Sequence, residues 1–283
     1  MTEGITVFGA GVMGSGITTL AVGHGIPVHL VDIDAAALQR AVTMVDRQLR
    51  HAQLLGALPA DAEFGTLTTA LSTGGQIASA AAVEAITEDA DLKRKLLAEV
   101  SAVCAADTLL ISNTSSIPID ELATAVARPE QLVGIHFMNP PYLIETFEVI
   151  RGPRTGEAAM TAVTALLARL GRRSVVVRDS PGFVTSRLLH PMINAAARLV
   201  GEGVAAAADI DALMQGCLGH PTGPLRTADL IGLDNLADSL NVLAARLGDD
   251  SLRPCEALLE KVRAGELGQK TGAGYYTYDG IAP

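Results

Sequence analysis

The stretch that decides the fold is residues 5–14, which read Ile5-Thr6-Val7-Phe8-Gly9-Ala10-Gly11-Val12-Met13-Gly14. An apolar run that favours a β-strand passes through a glycine-rich turn into a helical pattern. Gly9 permits the tight turn, Gly11 lets a pyrophosphate approach the main chain, and Gly14 lets the helix lie close to the sheet. The phosphates then meet the unpaired N–H groups and the positive dipole end of that helix. This stretch predicts a dinucleotide-binding loop.

A second apolar run, Val28–Val31, is followed directly by Asp32. This acid lies about 20 residues beyond the glycines, as the dinucleotide fingerprint requires. A carboxylate at this strand tip can accept both hydroxyls of an adenosine ribose, and it repels the 2′-phosphate of NADP. We therefore predict NAD as the cofactor. The predicted contacts in this region are Gly9, Ala10, Gly11, Val12, Met13, Gly14 and Asp32. Because glycines punctuate many turns, a strand–helix–strand turn without a ligand is the alternative.

The composition predicts a globular protein. Of 283 residues, 49% are hydrophobic and 18% are charged, which excludes a disordered chain. The net charge of −10, without a lysine- or arginine-rich run, argues against a nucleic-acid or anionic-membrane partner. Cys104, Cys217 and Cys255 form no C-x-x-C pair, which is typical of a reducing cytosol, so we expect a cytoplasmic protein. The six histidines contain no H-x-x-x-H pair, and no metal is predicted.

Residues 4–31 contain no Asp, Glu, Lys or Arg, and this stretch is long enough to resemble a membrane span. It nevertheless contains many glycines and Pro27, and its pattern divides into strand, helix and strand. No basic segment precedes it, so it does not read as a secretory signal. We predict a buried β–α–β unit, because a parallel strand is covered on both faces.

Strand and helix patterns alternate as far as residue 178, which favours an α/β Rossmann-type doubly wound sheet. From Asp179-Ser180-Pro181-Gly182 onward only alanine-rich helical patterns occur, which predicts an all-α C-terminal dimerisation domain and a homodimer. We place the NAD-binding domain at 1–180 and the helical domain at 181–283. Residues 56–76, rich in Gly, Thr and Ser, are expected to form a loop or a helical excursion. The predicted strands are 5–8, 28–31, 83–86, 108–112, 132–136, 146–150 and 174–177, and the predicted helices are 35–55, 91–103, 120–127, 156–170, 183–201, 208–217, 233–247 and 254–264.

Two segments, 113–116 and 136–141, each lie at the carboxyl end of a predicted strand, the edge where open α/β sheets bind ligands. Oxidation of an alcohol needs a hydride acceptor, which a nicotinamide supplies, and a base for the hydroxyl proton. Histidine suits this second role because its unperturbed pKa is about 6.5. We predict His136 as the base, Glu148 as its orienting partner and Ser115 as a hydroxyl donor near the substrate.

Each of these residues has another interpretation. His136 could be a structural histidine, Glu148 a surface charge on an edge strand, and the 113–116 run helix-capping and turn chemistry. A serine-hydrolase triad of Ser115, His136 and Glu148 is also conceivable, but the chain has no G-x-S-x-G elbow.

The chain resembles the L-3-hydroxyacyl-CoA dehydrogenase family, including its 3-hydroxybutyryl-CoA members. The resemblance implies a Rossmann-type domain followed by a helical dimerisation domain that contributes to the substrate cleft. It also implies NAD contacts at Asp32, Glu88, Lys93, Ser115 and Lys270, and a catalytic pair of His136 and Glu148. The matching segments are 9–14, 83–88, 112–116, 136–140, 148–150, 179–183, 187–189, 223–224, 232–234 and 270–276.

Two positions depart from the family pattern. Ser186 stands where the family has an active-site asparagine, and Glu145 stands where it has a lysine. The 35–55 helix also has few basic residues to meet the phosphates of coenzyme A. The segments 136–142 and 183–187 are more similar to those of relatives in polyketide extender-unit pathways, which oxidise a hydroxyacyl group on an acyl carrier protein. The Asn139-Pro140-Pro141-Tyr142 motif also resembles L-gulonate dehydrogenases, which act on a sugar acid without a thioester.

The sequence thus predicts an NAD-dependent dehydrogenase of a 3-hydroxyacyl thioester carried by coenzyme A or by an acyl carrier protein. The catalytic candidates are His136, Glu148, Ser115 and Ser186. An L-gulonate-type dehydrogenase and a catalytically quiet NAD-binding protein are the alternatives.

Overall fold

The computed structural model describes residues 4–58, 63–72, 75 and 77–278. The chain forms two compact units that divide between Ser180 and Pro181. The first unit contains a β-sheet flanked by helices. The second unit contains five α-helices and no β-strand within the described residues 181–278. An α/β Rossmann-type fold followed by an all-helical region, as predicted from the sequence, is confirmed.

Eight strands form one sheet in the order β3-β2-β1-β4-β5-β6-β7-β8. Neighbouring strands are parallel except β6 and β7, which pair antiparallel. The strands are β1 (Ile5–Phe8), β2 (Val28–Val31), β3 (Leu67–Ala70), β4 (Ala81–Glu84), β5 (Leu109–Ser112), β6 (Leu132–His136), β7 (Thr146–Arg151) and β8 (Arg173–Arg178). From β1 the chain builds the sheet first in one direction and then, at β4, in the other. Ligands of open α/β sheets bind at the carboxyl ends of the strands beside such a reversal.

The strands in the middle of the sheet are buried along their whole length. Every residue of β1, β4, β5 and β6 is buried, which explains why these strands lack the alternation of an exposed sheet. In the first unit the helices are α1 (Val12–Gly23), α2 (Ala35–Leu54), α3 (Ala90–Val103), α4 (Ile119–Ala123) and α5 (Glu157–Arg169). Asp34 and Asp89 cap α2 and α3, because each carboxylate accepts a hydrogen bond from a first-turn N–H group.

The prediction of a loop or helical excursion over 56–76 is wrong in part. Leu67–Ala70 form β3, which pairs in parallel with β2 from Val28↔Leu67 onward. The strand was missed because it reads Leu-Thr-Thr-Ala at the end of the sheet, where both of its threonines are exposed. Residues 59–62, 73–74 and 76 of that range lie outside the described residues.

The second unit comprises α6 (Thr185–Gly201), α7 (Ala207–Leu218), α8 (Pro224–Ile231), α9 (Leu233–Leu247) and α10 (Glu256–Arg263). Its core includes Ile193, Leu225, Leu236, Leu240 and Leu258, all without exposed surface. The short helix α8 was absent from the sequence-based prediction, although proline at a first helical position signals such a start. No helix among the described residues is both long and apolar enough to cross a membrane.

Candidate active site

The loop between β1 and α1 is closely packed at two glycines and open at the third. Gly9 has φ of +103°, and a Cβ built on Gly14 would lie 1.7 Å from the Gly9 carbonyl oxygen. A Cβ built on Gly11 meets no atom within 4 Å. Gly11 is the N-cap of α1 and provides no side-chain cap. This arrangement fits a pyrophosphate, because the space beside Gly11 is open and the first-turn N–H groups of a helix bind anions.

Asp32, at the end of β2, is attached to the same loop. Its Oδ2 accepts a hydrogen bond of 2.7 Å from the Ala10 N–H group, and its Oδ1 accepts one of 2.9 Å from the Asp34 N–H group. The residue is partly exposed. A carboxylate has about four acceptor sites, so capacity remains for two ribose hydroxyls. The residues present therefore fit an adenosine ribose as well as a pyrophosphate.

A buried ion pair lies beneath the carboxyl ends of β4 and β5. The Lys93 ammonium lies 2.5 Å from Glu84 Oε1, and both side chains are 1% exposed. The other carboxylate oxygen of Glu84 accepts a 2.6 Å hydrogen bond from the Ser112 hydroxyl. Lys93 also lies 3.2 Å from Glu88 Oε2. Two carboxylates thus share one ammonium, and the serine at the end of β5 joins the same network.

Glu88 holds the segment that follows β5. Its Oε1 accepts hydrogen bonds from the Thr114 hydroxyl at 2.6 Å and from the N–H groups of Ser115 and Ser116 at 2.8 and 3.1 Å. Burial by itself would raise the pKa of Glu88, but the Lys93 charge and these hydrogen bonds outweigh it and lower that pKa. Glu88, Lys93 and Ser115, which the family resemblance assigned to NAD contacts, therefore belong to one cluster. Lys93 is only 1% exposed, whereas Glu88 is 36% exposed. Lys93 therefore influences the surface of this cluster through its ion pair with Glu88 and not by direct contact.

Replacing Lys93 with methionine is expected to lower the free energy of unfolding by about 3–5 kcal/mol at neutral pH, because Glu84 would remain buried without its counter-charge. Urea denaturation followed by circular dichroism measures this loss. Lys95→Met is the matched control on the same helix: Lys95 is exposed, and we expect a change within about 0.5 kcal/mol. Equal effects in the two variants would contradict a stabilising role for the pair.

His136 and Glu148 are brought together by the antiparallel pairing of β6 and β7. They are directly opposite in register, so their side chains emerge on the same face of the sheet. His136 Nδ1 lies 3.3 Å from Glu148 Oε2, and the two side chains are 10% and 6% exposed. A carboxylate can only accept a hydrogen bond, so the proton of a neutral His136 ring resides on Nδ1. This leaves Nε2 as the basic nitrogen, the arrangement that a general base requires.

The remaining predicted site residues, Ser186 and Lys270, belong to the second unit. Ser186 lies in the first turn of α6 and is 2% exposed. The Lys270 ammonium lies 2.5 Å from Asp234 Oδ2, and both side chains are partly exposed. Lys270 is therefore an ion-paired lysine within its own unit.

Sequence reasoning missed Glu84, Ser112 and Asn113. The sequence does indicate a role for Glu84, because a charged residue at the end of an apolar strand must have a partner of opposite charge once it is buried. Lys93 supplies that partner from one turn into α3. Asn113 begins the polar run 113–116, and nothing in the sequence distinguishes its amide from the neighbouring hydroxyls.

Comparison with known proteins identifies the family. The model of the 3-hydroxyacyl-CoA dehydrogenase NAD binding domain matches residues 4–180, and the model of the C-terminal domain matches residues 182–278. A probable 3-hydroxybutyryl-CoA dehydrogenase of Bacillus subtilis is 39% identical over 279 residues, 97% of each chain. The 3-hydroxybutyryl-CoA dehydrogenase of Bradyrhizobium diazoefficiens is 38% identical over 282 residues, 99% of this chain and 96% of the relative.

Solved structures agree with this assignment. Mycobacterium tuberculosis FadB2 has a TM-score of 0.91 at 34% identity and covers 98% of this chain and 99% of its own. The (S)-3-hydroxybutyryl-CoA dehydrogenase PaaH1 of Ralstonia eutropha has a TM-score of 0.86 at 36% identity, with coverage of 99% and 100%. Together with the glycine loop and the His136–Glu148 pair, these matches show that the chain belongs to the 3-hydroxyacyl-CoA dehydrogenase family of NAD-binding oxidoreductases.

Proposed function

We propose that this chain catalyses the reversible, NAD-dependent oxidation of a 3-hydroxyacyl thioester to the 3-oxoacyl form. The observation that carries the proposal is the buried His136–Glu148 pair at the carboxyl edge of the sheet. The match of residues 4–180 to an NAD-binding domain supports it. The ratio of oxidised to reduced cofactor, rather than any residue, sets the direction of the reaction.

In this proposal His136 takes the proton of the substrate hydroxyl at Nε2. Glu148 accepts the Nδ1–H hydrogen bond, which holds the ring in one orientation and stabilises the imidazolium that forms. Bound NAD supplies the hydride acceptor. The Ser115 hydroxyl lies on the loop held by Glu88 and is proposed to contact the substrate oxygen. Residues 9–14, Asp32, Glu88 and Lys270 are proposed to contact NAD, with Lys93 acting through Glu88.

The carrier of the thioester is a finer proposal. Relatives named 3-hydroxybutyryl-CoA dehydrogenase support a short acyl chain on coenzyme A. Ser186 and Glu145, together with the few basic residues of α2, support an acyl carrier protein of the polyketide extender-unit type instead. Arg40 of α2 already pairs with Asp34 at 3.5 Å, which reduces the charge available for coenzyme A phosphates.

A substrate panel tests this function. The purified chain is incubated with NAD and 3-hydroxybutyryl-CoA, a longer 3-hydroxyacyl-CoA, a hydroxyacyl group on an acyl carrier protein, or L-gulonate, and NADH absorbance is followed. Turnover of a thioester supports the proposal, and the reactive carrier identifies the tether. Turnover of L-gulonate alone would replace the thioester with a free sugar acid. NAD binding without any turnover would indicate a catalytically quiet protein.

We also propose a homodimer formed through the helical unit. Leu188, Leu213 and Leu218 of this unit are 69%, 59% and 67% exposed, and their burial against a second copy would supply apolar area to such an interface. Light scattering at micromolar concentration is expected to give twice the chain mass. A monomer mass throughout that range would contradict the dimer.

A further inference from the structure

Asn113, the first residue after β5, connects the ends of three strands. Its N–H group donates a 2.9 Å hydrogen bond to the carbonyl oxygen of Glu84, the last residue of β4. Its side-chain Oδ1 accepts a 3.0 Å hydrogen bond from the N–H group of Phe137, which directly follows β6. The amide orientation is fixed by chemistry, since a backbone N–H can only donate and must face the oxygen.

The Asn113 side chain extends the contact between β5 and β6 beyond the strand pairing. The β5–β6 register ends at Ser112↔Gly134, two residues before His136. On its other side, His136 is paired with Glu148 of β7. The Phe137 N–H group also makes a short local contact of 3.1 Å with the Ile135 carbonyl oxygen. The Asn113 side chain therefore links the end of β5 to the peptide group between His136 and Phe137.

We propose that Asn113 is a positioning residue that holds His136 in the orientation needed for proton transfer. This rests on the proposed function, because it takes His136 as the base. Phe137 is 3% exposed, and its ring packs against Phe147 with centroids 4.9 Å apart. Loss of the amide oxygen would remove the long-range acceptor of the Phe137 N–H group and let the 136–137 peptide rotate. Misplacement of a catalytic group by about 1 Å can cost about 100-fold in rate.

The same loop carries Ser115, so Asn113 also fixes the spacing between the two groups proposed to meet the substrate. Glu88 holds the loop from the side of β4 and α3 through Ser115 and Ser116. Asn113 holds it from the side of β6. The base and the hydroxyl donor are thus connected by one side chain.

Asn113→Ala and Asn113→Asp test the proposal. In the alanine variant we expect kcat to fall by about 10- to 100-fold, with KM for NAD changed by less than about twofold and a larger primary deuterium isotope effect. The aspartate variant retains an oxygen at the same place and should restore most of the lost kcat. Asn194→Ala is the matched control, because Asn194 also bridges two backbone groups, the Arg253 carbonyl and the Cys255 N–H, at 2.8 Å each. That variant should lose thermal stability but keep kcat.

Unchanged kcat in folded Asn113→Ala, or no restoration in folded Asn113→Asp, would overturn the proposal. A second readout does not need turnover: the His136 ring resonances of the labelled chain should shift in Asn113→Ala and stay close to wild type in Asn113→Asp and Asn194→Ala. If the wild-type chain proves inactive on every thioester, the proposed function fails. The resonances then still decide whether Asn113 orients His136, and an unshifted His136 signal would overturn that role.

Discussion

His136→Ala is expected to lower kcat for thioester oxidation by about 10²- to 10⁴-fold, the range that general acid–base catalysis contributes. Alanine cannot accept the hydroxyl proton, so the barrier to hydride loss from the substrate rises. NADH affinity should change by less than about twofold, because residues 9–14 and Asp32 do not depend on the imidazole. Steady-state kinetics measure the first effect, and a titration of NADH fluorescence measures the second.

Glu148→Gln provides the graded comparison. The amide oxygen of the substituted side chain can still accept the Nδ1–H hydrogen bond, but it lacks the charge that stabilises the imidazolium, so kcat should fall less than in His136→Ala. A His136→Ala variant with wild-type turnover would remove His136 from the mechanism. A Glu148→Gln variant less active than His136→Ala would assign Glu148 a larger role than orientation.

The parts of the fold that sequence could predict are those fixed by local rules. The β1–α1 loop was readable because tight turns and close packing each demand glycine at a fixed spacing. The His136–Glu148 pair was also within reach, because a strand that ends in His136 and an adjacent strand that contains Glu148 can form a hairpin-like pair. The prediction needed only the assumption that the second strand turns back, and the antiparallel β6–β7 pairing supplies that reversal.

What sequence could not predict depends on distant partners. β3 has no apolar alternation and forms because β2 offers an open edge to pair with. The hydrogen bond from Phe137 to Asn113 joins residues 24 positions apart, and no spacing rule relates the end of one strand to a side chain on the next. The roles of Glu84 and Ser112 emerge only when α3 returns over the sheet and places Lys93 beneath them.

The second large effect is expected at Gly11, where alanine should raise the Kd for NAD by about 10- to 100-fold, equivalent to about 1.4–2.8 kcal/mol of binding energy. A Cβ on Gly11 enters open space in the protein alone, and this is the space proposed for the pyrophosphate. The fold should tolerate the change, since alanine in place of an N-cap glycine costs only about 1 kcal/mol. Calorimetric titration with NAD and urea denaturation of the same samples separate the two quantities.

Gly14→Ala is the contrasting variant in the same loop. Its Cβ would lie 1.7 Å from the Gly9 carbonyl oxygen, and the contact is with main chain, so no side-chain rotation relieves it. Although alanine favours a helix over glycine by about 1 kcal/mol, overpacking against fixed main chain is expected to reach the upper end of its usual range, about 3 kcal/mol, so Gly14→Ala should be destabilised more than Gly11→Ala. Wild-type NAD affinity in Gly11→Ala would show that the pyrophosphate does not approach the main chain at this residue. The glycines of the loop would then serve only the close packing of α1 against the sheet.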